Sequence, residues 1–218
     1  MFVKTICTVA LVCSIFSCTD DFTEFNTDKT KMMAVGPKEL AGLLSRAQYE
    51  GINWLTTDNM SRMSSTVALH FCGYTACGIY NQEASIMNPG WHNTGFNRIY
   101  TSAIPPVNSV MDVSRNGVNT PAYNIALIWK VWLMHRMTDI WGPVPYTAAG
   151  KGQEDTPYES QKDIYYLMFD DLAGAVDALK TELQKNPSLN VFGVGDLIYK
   201  GDVSKWLKFG NTLRLRLA

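Results

Sequence analysis

Cys18 is the residue with the most distinctive chemistry to offer. Lys4 leads a short apolar stretch from Thr5 to Phe16, the small residue Ser17 closes it, and Thr19-Asp20-Asp21 follow the cysteine. A basic start, an apolar core of about a dozen residues and a small residue at the cut describe a secretory signal. The stretch falls short of the roughly 20 apolar residues that span a bilayer. A cysteine at the cut fits a bacterial lipoprotein signal, in which the thiol is acylated and becomes the first residue of the mature protein. An ordinary cleaved signal with an incidental cysteine is the alternative.

Other constellations are weaker. His70-x-Cys72-x4-Cys77 has a metal-site look, yet it lacks a fourth ligand and the usual two-residue cysteine spacing, so no metal is expected. Arg136 and Asp139 stand one helical turn apart, where opposite charges meet; they are expected to fix the end of a helix. Asp170 and Asp171 are neighbours on a helix, point apart and are expected to face solvent, so they do not converge on a bond as paired acid–base work requires. Aromatic rings on loops, framed by amides and carboxylates, suit sugar recognition. Tyr74, Tyr80, Asn81 and Trp91 lie in such a stretch, and Trp54 beside Asn53 is a second candidate. Against each stands a core-packing role, most of all for Trp91 at the opening of a helix.

Composition narrows the class. The 218 residues, 46% of them hydrophobic, suffice for one domain with a substantial core. Charge is nearly balanced at 19 basic against 20 acidic residues; removing residues 1–17 takes Lys4 and no acid, leaving 18 against 20, or −2. No basic run marks a nucleic-acid footprint. Of five cysteines, Cys7 and Cys13 depart with the signal and Cys18 is the lipid site, leaving Cys72 and Cys77 with their pairing open.

The elements that position these residues read as helices. After a signal at 1–17 and a polar linker at 18–36, Pro37 opens a helix with Leu40, Leu43, Leu44 and Ala47 on one stripe. Thr57-Asp58-Asn59 caps a second that runs through Met60, Met63, Val67 and Phe71. A third starts near Trp91, is kinked or restarted by Pro105-Pro106, and ends about Ser114. Thr120-Pro121 caps a fourth whose centre, Ile125 to Met134, is apolar nearly all round and therefore buried on most sides. Trp141-Gly142-Pro143-Val144-Pro145 ends it. Ser160-Gln161-Lys162-Asp163 opens a fifth with helical period to Asn186-Pro187. After a glycine-rich loop, Asp202 or Ser204 starts the last, with Lys205-Trp206 shielding its first turn. That helix still has its period at Ala218 with no stop signal, so the chain reads as the front portion of a longer protein.

Four blocks carry a family resemblance. They are Asp20-Asp21-Phe22 with Glu24-Phe25-Asn26-Thr27-Asp28 after the lipoprotein cysteine; Trp129-Lys130-Val131 through Arg136-Met137-Thr138-Asp139 to Trp141-Gly142-Pro143-Val144-Pro145-Tyr146; Tyr158-Glu159-Ser160-Gln161-Lys162-Asp163; and Asp196-x-x-Tyr199-x-Gly201-Asp202-x-x-Lys205-Trp206 with Asn211-x-Leu213-x-x-Arg216-Leu217-Ala218. In order and spacing the chain resembles the SusD/RagB-like outer-membrane lipoproteins of the Bacteroidetes. The resemblance implies a mainly α fold, a TPR-like helical scaffold of SusD type, truncated, over residues 37–218. It implies a surface-exposed binding protein with no enzymatic activity and no cofactor. Such proteins capture oligosaccharide or peptide and pass it to a SusC-type TonB-dependent transporter. Asp20-Asp21 are similar in position to acids that accompany surface export. Family members run to well over twice this length and draw part of their ligand surface from the later half. The competing class is a structural or assembly lipoprotein whose helical repeats bind only protein partners. A secreted glycoside hydrolase would need two converging carboxylates, and no constellation for them is present.

Overall fold

The computed structural model describes residues 35–56, 95–115, 117–152 and 155–218. Five α-helices lie wholly within them, α1 (Leu40–Thr56), α2 (Ile104–Ser114), α3 (Thr120–Trp141), α4 (Gln161–Lys185) and α5 (Val203–Leu217), and residues 95–98 are also α-helical. Among the described residues there is no strand, only the isolated antiparallel bridges Val144–Glu159 and Asn190–Asp202. The second expected helix, from Thr57 onward, lies outside the described residues.

Helix α3 is the central element, packing on α1, α2, α4 and α5. Its sequence dictates this place. Ile125, Ala126, Ile128, Trp129, Val131, Leu133, Met134 and Met137 are all but fully buried, and residues apolar around the whole circumference must be covered on every side. Each such large side chain contributes about 1.5–3 kcal/mol when fully buried. Among the described residues no helix is long and apolar enough to cross a membrane. The other helices cover α3 with one stripe each: Leu40, Leu44 and Ala47 from α1, Ile164, Met168, Leu172, Ala175 and Leu179 from α4, and Trp206, Leu213 and Leu217 from α5.

The boundaries follow local chemistry. Helix α1 begins at Leu40, three residues after Pro37, because residues 37–39 form a turn in which the Glu39 carboxylate accepts from the Gly36 N–H at 2.8 Å. Asn119 rather than Thr120 caps α3, accepting from the Ala122 N–H, so that Thr120 and Pro121 are its first helical residues, and Ser160 caps α4, accepting from the Asp163 N–H. Pro105 and Pro106 restart a helix as expected, by way of a π-turn at Ile99–Ala103. Neither proline has an N–H for the carbonyls of Thr101 and Ser102, and the backbone widens so that the Ile104 N–H reaches Ile99 instead. Within the glycine-rich loop a single 3-10 turn forms at Gly193–Gly195.

Two of the quoted blocks are corners whose polar groups close on each other. In the first, the Thr138 hydroxyl donates to the Gly142 carbonyl at 2.7 Å, Gln161 Nε2 donates to the Thr138 carbonyl at 2.9 Å, and Tyr100 donates to the Pro145 carbonyl at 2.8 Å. The Glu159 carboxylate accepts from the N–H groups of Tyr146 and Thr147. In the second, Asp196 is fully buried and takes four donors. Oδ1 accepts from Gln48 Nε2 at 2.8 Å and the Ile198 N–H at 3.1 Å; Oδ2 accepts from the Gly201 N–H at 3.0 Å and Trp206 Nε1 at 2.7 Å. Gln48 Oε1 accepts in turn from the Leu197 N–H at 2.8 Å. A buried carboxylate needs such company, and here it ties α1 to the loop before α5. Trp206 is therefore core, fully buried against Trp129, rather than a shield over the first turn of α5.

Candidate functional site

The residues singled out for ligand contact do not come together among the described residues. Cys18, Tyr74, Tyr80, Asn81 and Trp91 lie outside them, as do His70, Cys72 and Cys77. The backbone of Trp54 belongs to the last turn of α1 rather than to a loop. In the Arg136–Asp139 turn, Asp139 accepts from the Tyr165 hydroxyl at 2.6 Å, and the Arg136 guanidinium lies over the Trp132 ring at 5.6 Å. Burial first, then Asp139, pushes the Tyr165 phenol up to about 12.

What the structure does build is a cleft of about 540 Å³ between α2, α3, α4 and the turn that follows the Pro143–Pro145 corner. Each wall is a helical stripe: Pro105, Asn108, Ser109 and Asp112 from α2, Tyr123, Leu127 and Lys130 from α3, Leu167 and Asp171 from α4. Tyr146, Thr147, Gly150 and Lys151 supply the fourth side. Asn108 Nδ2 donates to the Ala149 carbonyl at 2.8 Å and pins the turn to α2. Gly150, at φ 67°, completes it where a Cβ would press 2.7 Å from Ile104 Cγ2, so only glycine fits.

Lys130 is the unusual wall residue. It is 9% exposed, and its ammonium lies 4.7 Å from the centroid of the Tyr146 ring. Among the described residues its Nζ makes no hydrogen bond or ion pair. Burial lowers its pKa from the ordinary lysine value, while Asp171 opposes that shift. Asp171 is half-buried rather than solvated, because it accepts from the Tyr146 hydroxyl at 2.5 Å. Burial and the Asp171 charge hold the Tyr146 phenol far above its usual range, so it stays a donor. The composition of α3 carries the signal for this site, since Lys130 is the single charge between Ile125 and Met134.

Among the described residues the helices pack around α3 and leave a polar-rimmed cleft between them. The family model described as "Susd and RagB outer membrane lipoprotein", SusD-like, matches residues 29–218. The chain belongs to the SusD-like family of outer membrane lipoproteins. Among solved structures, a SusD homologue from Bacteroides vulgatus shares 34% identity at a TM-score of 0.53, over 60% of this chain and 26% of its own. One from Bacteroides uniformis shares 28% identity at a TM-score of 0.67, over 82% and 37%. A chitin-binding SusD homologue from Flavobacterium johnsoniae shares 26% identity at 0.64, over 82% and 38%. The chain thus spans between about a quarter and two fifths of the length of these three relatives. None of the curated proteins matches it.

Proposed function

We propose that this protein is a surface-exposed, lipid-anchored binding protein that captures a glycan and delivers it to a SusC-type TonB-dependent transporter. The observation that carries the reading is the family match along residues 29–218, joined by the likeness to a chitin-binding homologue. In this reading Cys18 is acylated after removal of residues 1–17 and holds the mature chain in the outer membrane. One acyl chain binds weakly, at about 0.8 kcal/mol per buried CH2, whereas two or more hold firmly. Trp54, Tyr74, Tyr80, Asn81 and Trp91 offer aromatic faces and amides to sugar rings. The task is capture and hand-over, with no bond made or broken, so the protein is not an enzyme.

The test combines three measurements. Mass spectrometry of membrane-derived protein is expected to find acyl chains on Cys18. Calorimetry against chitin and other oligosaccharides is expected to show binding that weakens when Tyr80 or Trp91 becomes Ala. Affinity purification is expected to bring down a TonB-dependent transporter. Transporter capture without affinity for any glycan would replace the reading with a protein-only assembly role.

A further inference from the structure

We propose that the cleft between α2, α3 and α4 is a carboxylate-binding site, with Lys130 as its main contact and a small sugar acid as the class of ligand. The argument starts from an incomplete set of partners. An ammonium has three donors and no acceptor, and a charge taken out of water needs company. Lys130 is nine-tenths buried, one side of its head faces the Tyr146 ring, and among the described residues its Nζ makes no hydrogen bond or ion pair. Asp171, the wall carboxylate that acts on Lys130, is already engaged by the Tyr146 hydroxyl. The donors of Lys130 therefore face the open volume of the cleft.

The rest of the lining selects the sign and the size. Three cations, Arg115, Lys130 and Lys151, stand against two carboxylates, and Asp112 is tied to Arg115 at 2.9 Å. An anion thus meets a favourable field and a donor set that no hydrogen bond from the described residues engages. About 540 Å³ admits one or two six-membered rings, and the aromatic and aliphatic walls suit a ring face. The carboxylate half of the inference stands on the cleft alone; the choice of a sugar as its carrier rests on the glycan reading above.

Titration of the full chain with glucuronate, glucose and acetate, followed by calorimetry and NMR, tests both halves. Glucuronate is expected to bind about tenfold or more tightly than glucose, and Lys130→Met is expected to lose at least about tenfold of that affinity. Equal binding of acetate and glucuronate would keep the anion site and remove the sugar, whatever the fate of chitin binding elsewhere on the protein. Unchanged glucuronate affinity in Lys130→Met, or no affinity for either anion, would overturn the site and leave Lys130 a structural cation. Should Lys130→Met unfold, reductive 13C-methylation of the native chain gives a second readout. The Lys130 dimethylamine signal is expected to move with glucuronate and stay with glucose, and a signal indifferent to both would again overturn the site.

Discussion

Trp206 Nε1 donates to Asp196 Oδ2 at 2.7 Å, and both residues are fully buried. The ten-residue separation between them is what the acid-x-x-Tyr-x-Gly-Asp-x-x-Lys-Trp block encodes. The loop from Asp196 to Gly201 folds back so that the carboxylate serves as its own anchor, and the indole that starts the next helix completes the set. Gln48, from the opposite end of the described chain, closes the last position at 2.8 Å.

Trp206→Phe keeps an aromatic ring in the core but removes the donor together with part of the indole's bulk. A buried carboxylate deprived of one partner costs about 1.5–3 kcal/mol, so chemical denaturation should register a loss of that order. A change below half a kcal/mol or so would show that the hydrogen bond adds nothing beyond packing.

Gly201 and Gly174 should respond oppositely to alanine. Gly201 has φ 83°, and a Cβ there would run into the Asn190 side chain and the Val191 carbonyl, so Gly201→Ala is expected to cost about 2 kcal/mol or more. Gly174 sits within α4 with nothing near its Cβ position. Gly174→Ala is therefore expected to stabilise by about 0.5–1 kcal/mol. Paired thermal melts check the contrast.

Asp202 caps α5 by accepting from the N–H groups of Ser204 and Lys205. Asp202→Ala should cost about 0.5–2 kcal/mol and Asp202→Asn much less. Hydrogen bonding from Ser204, first among the causes, holds the Asp202 carboxyl below its ordinary value. The linked stability is fully present above the ordinary aspartate range and is lost as pH falls through the folded-state value. Denaturation midpoints of wild type and Asp202→Asn should converge on acidification.

His135 is buried in α3, and burial, aided by Arg136 and Arg216, lowers its pKa. Below about pH 6.5 the unfolded chain takes up a proton that the folded one resists, so stability falls as pH drops from there toward the folded value. His135→Leu should flatten the stability profile in that window. An unchanged slope between pH 6.5 and 5 would assign the acid sensitivity to other groups.

Much of this architecture is written locally. Both ends of α4 and the start of α5 are legible because Ser160, Asn186-Pro187 and Asp202 act on backbone groups within a few residues. The burial of α3 is legible because its apolar positions circle the helix. The role of Asp196 is not, since its partner Gln48 lies 148 residues away and reads as an ordinary helix-surface amide. Asp171 likewise carries the periodicity of an exposed face, and only the Tyr146 hydroxyl reaching from the turn reveals its half-buried place. The Arg136–Asp139 spacing invites an intrahelical pair, yet Tyr165 on α4 supplies a partner from outside the helix.

By itself, then, the amino-acid order specified the helical character of the described residues, the caps of α4 and α5 and the family, because those depend on periodicities and hydrogen bonds that span a turn or two of chain. Assembly in three dimensions alone decided which polar groups are buried together: Asp196 with Gln48 and Trp206, and Lys130 against Tyr146 facing an open cleft. The reason is that desolvation is a property of everything packed around a group, and most of those neighbours are remote in sequence.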